Sequence, residues 1–279
     1  MSQSSPRSHV IDHPGGTVRV VQLTDTHLCK SRGGTLLGMD TDHSLQAVIN
    51  LVKAERPAID LLLGTGDLSD QGALEAYQRL PGYFGQLTQT HCWLPGNHDL
   101  RANMARAADD PLRLSRELRV ANWQVVMLDS QVPGEVGGEL GASELAQLEH
   151  ALLAAESEGL YSLVCLHHQP VKIGCDWLDQ QMVADAAEFF AVLARFPGVR
   201  GVLWGHVHQQ VDRHLGEIQL MASPSTCVQF APDSVDFRAD PLPPGYRWLD
   251  LCEDGTLRTG VSRAHGVKFN VDLDSDGYQ

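Results

Sequence analysis

With 279 residues, 43% of them hydrophobic and 20% charged, the chain can bury a sizeable core and has the balance of a soluble globular protein. Its net charge of −14 argues against a duplex-binding surface, which is ordinarily basic. No apolar run approaches the about 18 residues of a membrane span. The six cysteines are scattered without a CxxC pair, so neither a zinc knuckle nor a disulfide framework is indicated.

Residues 1–12 are polar and lack an apolar signal core, so the cytosol is the expected location, with free and mostly buried thiols. Residues 1–14 read as a loose tail. A first strand is predicted over 18–24, then a Gly-rich irregular stretch over 28–42. Leu45, Val48, Ile49 and Val52 share one face of a helix over 45–55, capped by Asp42 or Ser44 and stopped by Pro57. A short apolar run makes 59–63 a central strand. A helix over 73–80 should end at Pro81-Gly82, ahead of a strand over 91–94. The Arg-rich stretch 103–118 reads as helix and loop lying over the surface. Further strands are predicted over 123–128, 161–166 and 199–204. Between them come a helix over 144–156 capped by Ser143 and another over 184–195.

After residue 208 the style changes. Segments 210–230 and 246–261 read as short antiparallel strands turning at Leu215-Gly216 and Asp254-Gly255. Residues 233–245 form a Pro-rich loop, and 267–279 are acidic and expected to be poorly ordered. Alternating strands and helices over about 200 residues predict an α/β fold, a mostly parallel sheet with helices outside. The added strands imply a second sheet packed on the first. Nothing in the composition marks a linker, so one domain is expected. Its core would span 18–208, with strands and loop over 209–266 and tails at 1–14 and 267–279.

Chemistry concentrates where apolar runs end. Asp25-Thr26-His27, Gly66-Asp67, Gly96-Asn97-His98-Asp99, His167-His168 and Gly205-His206-Val207-His208 each follow a predicted strand. In open α/β sheets, ligands collect beyond the carboxyl ends of the strands. The two-residue gaps in Asp25/His27 and His206/His208 would put both members of each pair on one side of an extended backbone. Asp25, His27, Asp67, Asn97, His167, His206 and His208 supply carboxylates, imidazoles and an amide oxygen but no thiolate. That set suits Fe, Mn or Zn better than calcium. Seven donors exceed the needs of one tetrahedral ion and suit two ions sharing a carboxylate, which activate water and polarise a phosphoryl oxygen.

Each of these residues also has a plainer reading. A lone Asp or His at a strand end is usually a cap or a solvated turn, and Asp12-His13 and Asp42-His43 occur here without strand context. The joint pattern favours ligation. Of His167 and His168 only one should face the centre; His167, directly after the strand, is favoured, with His168 supporting it from behind. Asp129 is read as a turn cap. Trp177 and Phe230 are placed either in core or dimer packing or flanking a base, since aromatic faces stack on purines.

Taken in order, the five motifs resemble the signature of calcineurin-like metallophosphoesterases, over roughly residues 18–208. A more extensive resemblance is to the class III cyclic-nucleotide phosphodiesterases of bacteria. It rests on Gln22-Leu23-Thr24-Asp25-Thr26-His27-Leu28, Leu166-His167-His168-Gln169-Pro170-Val171, Trp177-Leu178-Asp179 and Pro224-Ser225-Thr226-Cys227-Val228-Gln229-Phe230. The resemblance implies a four-layer α/β/β/α sandwich with two mixed sheets. It implies one ion held by Asp25, His27, Asp67 and His208, and a second held by Asp67, Asn97, His167 and His206. Iron and manganese are the expected metals, with Zn, Co or Mg as alternatives. His98 would touch the phosphate and protonate the leaving oxygen, and Asp99 would orient His98 by a hydrogen bond. His27, Asp67, Asn97, His98 and His208 would surround the bound phosphodiester. The implied reaction is hydrolysis of 3′,5′-cyclic AMP to 5′-AMP by metal-bridging hydroxide. A glycerophosphodiesterase or broad small-diesterase activity is the alternative on the same metal core. The expected partner is a small cyclic nucleotide, with no nucleic acid and no membrane, for a monomer or homodimer.

Overall fold

The computed structural model describes residues 8–277. In chain order the strands are β1 (Ser8–Ile11), β2 (Val18–Leu23), β3 (Thr35–Leu36), β4 (Met39–Asp40), β5 (Leu61–Thr65), β6 (His91–Leu94), β7 (Glu117–Val120) and β8 (Trp123–Met127). They continue with β9 (Tyr161–Cys165), β10 (Val199–Trp204), β11 (Val211–Leu215), β12 (Ile218–Ala222), β13 (Gln229–Phe230), β14 (Ala239–Asp240), β15 (Gly245–Leu251) and β16 (Leu257–Arg263). The helices are α1 (Thr41–Glu55), α2 (Leu74–Phe84), α3 (Arg101–Ala107), α4 (Gly141–Glu158), α5 (Asp176–Asp179) and α6 (Ala186–Leu193).

Two mixed sheets face each other. One has five strands in the order β16-β15-β2-β5-β6; the other has seven, β1-β7-β8-β9-β10-β12-β11. Strand alternation explains how both faces of each sheet are buried. Val18 and Val20 of β2, with Leu61 and Leu63 of β5, point inward against Val125, Met127, Leu163, Cys165 and Leu203 of the facing sheet. Their neighbours Val21, Leu23 and Leu62 point outward, under Leu45, Val48 and Ile49 of α1 and Tyr77, Leu80 and Phe84 of α2. On the far side Val126, Val164, Val202 and Trp204 pack beneath Leu148 and Leu152 of α4 and Phe189 and Leu193 of α6. These three apolar layers between four structural layers make the α/β/β/α sandwich. Each fully buried Leu or Val in them contributes roughly 1.5–3 kcal/mol.

The expectations missed in several places, each for a physical reason. α1 starts at Thr41, because Asp40 accepts from the His43 amide at 2.9 Å and caps it. α2 runs through Pro81 to Phe84, since Tyr83 and Phe84 are still buried one turn on and that packing outweighs the lost hydrogen bond. Residues 8–11, read as tail, form an edge strand paired in parallel with β7. Apart from the small two-stranded sheet β13–β14, the later strands join the two large sheets. The hairpin β15–β16 completes the first sheet beside β2, and β11–β12 extends the second beside β10. The acidic segment, as far as it is described, is tied down: the Asp272 amide donates to the Leu37 carbonyl at 2.8 Å, and Phe269 and Val271 pack against the core. Among the described residues no helix is long and apolar enough to cross a membrane.

Candidate metal centre

β2, β5 and β6 in one sheet and β9 and β10 in the other end at a common edge of the sandwich. The loops leaving those tips carry the seven predicted donors. Ligand atoms of Asp25, His27 and His208 lie within 4.8 Å of one another, as do those of Asp25, Asp67 and His167. Asp67 Oδ2 sits 3.2 Å from His167 Nε2 and 3.8 Å from His27 Nε2, so it lies between the two groups. His208 Nε2 is 3.4 Å from Asp25 Oδ1 and 3.2 Å from His27 Nε2. Asn97 Oδ1 is 3.2 Å from His167 Nε2. Asp25, His27, Asp67, His167, His206 and His208 are all buried; Asn97 and His98 are half-buried and line an open cavity.

The backbone delivers these side chains in an unexpected way. Asp25 (φ 52°), His27 (43°), Asp67 (48°), His206 (64°) and His208 (49°) all adopt left-handed conformations. The paired donors therefore face the centre from a tight coil, and the expected extended pairing is corrected. Non-glycine residues hold such dihedrals at a cost on the order of 1–3 kcal/mol each, and only where the surroundings enforce them. Here cross-stitches between strand tips do so. The Asp25 and His27 amides donate to the Gly66 and Asp67 carbonyls at 3.0 and 2.9 Å, and the His206 amide donates to Asp25 Oδ1 at 3.0 Å. Two glycines are required by close approach. A Cβ at Gly96 would stand 2.2 Å from Asp67 Oδ1, and one at Gly205 would stand 2.2 Å from Thr24 Oγ1. This explains why a glycine opens the Asn97 and His206 motifs.

The surrounding hydrogen bonds fix tautomers. Thr65 and Val228 carbonyls accept from Nδ1 of His167 and His208 at 2.9 and 2.7 Å, turning each Nε2 lone pair inward. His168 behaves differently. Its Nε2 donates to the Val136 carbonyl at 3.0 Å, and its Nδ1 pairs with Ser130 Oγ at 2.8 Å. Its nitrogens come close to those of His167 and His206, yet they are bonded to Val136 and Ser130, whereas His167 Nε2 faces Asp67 and Asn97. Burial and the adjacent His167 push the His168 pKa down to about 3, so it is a neutral support. His206 is also held well below the usual imidazole range, by burial and then by His168 and His167. Burial alone would raise Asp67, but His167, His98 and His27 outweigh it and keep the carboxyl well below its usual range.

Asp99 is not where the orienting role needs it. Its carboxylate accepts from the amides of Gly96, Ser69 and Leu68 at 2.9, 3.0 and 3.2 Å and from the Tyr77 hydroxyl at 2.9 Å. It braces the loops bearing Asp67 and Asn97. His98 is fixed instead by the Asp70 carbonyl, 2.8 Å from its Nδ1, and the Asp70 carboxylate lies 3.4 Å from His27 Nδ1. Asp129 forms a bidentate pair with Arg101 outside the donor cluster.

Residue-by-residue reading passed over two further groups. Asp70 holds both His27 and His98, and its three-residue spacing from Asp67 was a usable signal. Gln181 approaches His206 Nε2 with its Oε1 at 2.9 Å, and no sequence pattern announces it. Phe230 lies flat on His208, with ring centroids 4.0 Å apart and planes 5° apart. It braces His208 through that stacked contact.

The donor chemistry fits a pair of cations. Buried carboxylates and inward-facing imidazole lone pairs crowd together, with two Nε2 atoms at 3.2 Å, and a shared positive charge relieves that crowding. A four-layer sandwich with this donor set at its strand tips defines a metal-dependent phosphoesterase. The chain belongs to the calcineurin-like phosphoesterase family, whose sequence profile matches residues 18–210. It is 48% identical over 262 residues to the 3′,5′-cyclic adenosine monophosphate phosphodiesterase CpdA of Pseudomonas aeruginosa, covering 94% of this chain and 96% of that one. It is 41% identical to the protein of the same name from Escherichia coli K12, covering 94% and 95%. Among solved structures, a dimetal phosphatase from Danio rerio shares the fold with a TM-score of 0.60 at 13% identity, covering 88% of this chain and 99% of that one.

Proposed function

We propose that this chain hydrolyses 3′,5′-cyclic AMP to 5′-AMP. The observation that carries the reading is the complete set of seven donors, gathered at one cavity, in a chain alike along nearly its whole length to relatives bearing that name. Asp25, His27, Asp67 and His208 would hold one cation and Asp67, Asn97, His167 and His206 the other, with Asp67 shared. The pair, when bound, supplies a water of lowered pKa and offsets charge on the phosphoryl oxygens. Iron and manganese suit the oxygen and imidazole donors best.

The chain's own residues do the rest. Backbone carbonyls set the imidazole tautomers before substrate arrives. His98 lines the cavity with Nδ1 held by the Asp70 carbonyl, so Nδ1 is the protonated donor in that bond and Nε2 is the nitrogen proposed to meet substrate. As an imidazolium it hands that Nε2 proton to the departing 3′ oxygen. Asp99 keeps the two donor loops in place and acts through them. The surface, at a net charge of −14, supports a small anionic ester drawn in by the cations over a nucleic acid.

A substrate panel on manganese-loaded protein tests the reading. Catalytic efficiency on 3′,5′-cyclic AMP should exceed that on 2′,3′-cyclic AMP and on glycerophosphocholine by at least about tenfold. Preference for the glycerol diester would sink it in favour of the alternative activity.

A further inference from the structure

The cavity beside the donor cluster has a volume of ≈ 570 Å³, inside the range of small-ligand pockets. Asn97, His98 and His206 line it near the donors, and Trp177, Phe230 and Phe237 line it as well. The three aromatic rings form a continuous wall that begins at the cluster itself. Phe230 lies flat on His208. Trp177 meets Phe230 edge to face at 5.2 Å and Phe237 at 5.3 Å, and the two phenylalanines are 5.4 Å apart. Hydrogen bonds join the two segments that carry the wall. The indole N–H of Trp177 donates to Ser234 Oγ at 3.3 Å, and the Asp176 amide donates to the Ser234 carbonyl at 3.0 Å. Phe230 is fully buried, while Trp177 and Phe237 are half-buried.

We infer that Trp177 and Phe237 form the purine subsite of this enzyme. A flat base gains from an aromatic face that is already fixed, and stacking of this kind is tolerant of which purine it meets. The arrangement does not suit the choline group of a glycerophosphodiester. A quaternary ammonium needs rings standing apart around it, whereas these are packed directly on one another and leave no box between them. Phosphate at Asn97 and His98 with the base against Trp177 uses the cavity from donors to rim.

The inference rests on the cyclic-nucleotide reading, and its test separates the two. Trp177→Ala, Trp177→Phe and Phe237→Ala would be made in the full chain, manganese-loaded, and assayed on 3′,5′-cyclic AMP and on base-free ribose 3′,5′-cyclic phosphate. Trp177→Ala should raise KM for cyclic AMP about tenfold with kcat little changed, and leave the base-free ester unaffected. Phe237→Ala should do the same to a smaller extent, and Trp177→Phe should restore most of the affinity. Calorimetry should show 5′-AMP binding weakened in parallel and ribose 5-phosphate binding unchanged. Equal losses on both esters would make the wall mere scaffold and overturn the inference, as would an unchanged KM for cyclic AMP, with the activity itself still standing. Wild-type protein that ignores cyclic AMP but cleaves other diesters would overturn both.

Discussion

The two sheets contribute unlike chemistry to the centre. The tips of β2, β5 and β6 in the five-stranded sheet deliver Asp25, Asp67 and Asn97, every oxygen donor of the set, together with His27. The tips of β9 and β10 in the seven-stranded sheet deliver only imidazoles, His167, His206 and His208. Neither half is complete alone. Carboxylates and the amide oxygen sit on one sheet and imidazoles alone on the other, so cations bound between them would complete both and tie the sheets at their open edge. Metal binding and packing of the sandwich are therefore linked, since the native arrangement is what assembles the site.

The largest effect should come from Asp67, the carboxylate proposed to serve both cations. Asp67→Ala removes the shared donor, so neither cation should be retained through gel filtration and kcat/KM should fall by more than about 10⁴-fold. His206→Ala takes a donor from one pole only and should leave roughly one cation per chain, held by Asp25, His27 and His208. Elemental analysis of the two variants decides the matter. Equal metal content in both would mean that the oxygen-bearing sheet has no special role.

A smaller effect belongs to a residue that touches neither pole as a ligand. His98→Ala should lower kcat on cyclic AMP by about 10²–10⁴-fold, the usual worth of a positioned proton donor, with metal content unchanged. The deficit should shrink on an ester whose leaving group is p-nitrophenolate, which departs without a proton. A deficit of the same size on both esters would assign His98 to phosphate binding alone.

Much of this centre was legible because donor chemistry and strand ends coincide. An apolar run followed at once by Asp, His or Asn is visible in one dimension, and five such places carry the seven residues that the fold brings together. What stayed hidden depends on contacts far apart in the chain. Asp99 looked like a partner for its neighbour His98, but its acceptors are filled by backbone amides of residues 68 and 69, some thirty positions earlier. The left-handed twist at Asp25 and His206 was masked because alternation and a tight coil both bring residues two apart to one side. β1 could not be read from its own residues, since it is a strand only through pairing with residues 117–120. Pro81 was weighed by local propensity, while burial of Tyr83 and Phe84 decided the helix.

The mildest perturbation lies beneath the donors, where the two sheets are pinned by a polar contact within an apolar layer. Gln22 faces the same side of β2 as Val18 and Val20 and is fully buried. Its Nε2 donates to Thr65 Oγ1 at 2.6 Å and to the Trp204 carbonyl at 3.2 Å, bridging β5 and β10, and its Oε1 accepts from the Ser223 hydroxyl. Gln22→Leu keeps the volume close but strips partners from three buried polar groups. It should cost roughly 1–3 kcal/mol and several degrees of Tm in chelator. Cations at about 100 times their Kd should add about 2.7 kcal/mol per independent site to the wild type. If Gln22 only pins the sheets, that gain is the same in the variant and the two effects add. A smaller gain would show that Gln22 also sets the spacing between the oxygen-bearing and imidazole-bearing tips. An unchanged Tm in chelator would assign the pairing of the sheets to the apolar layer alone.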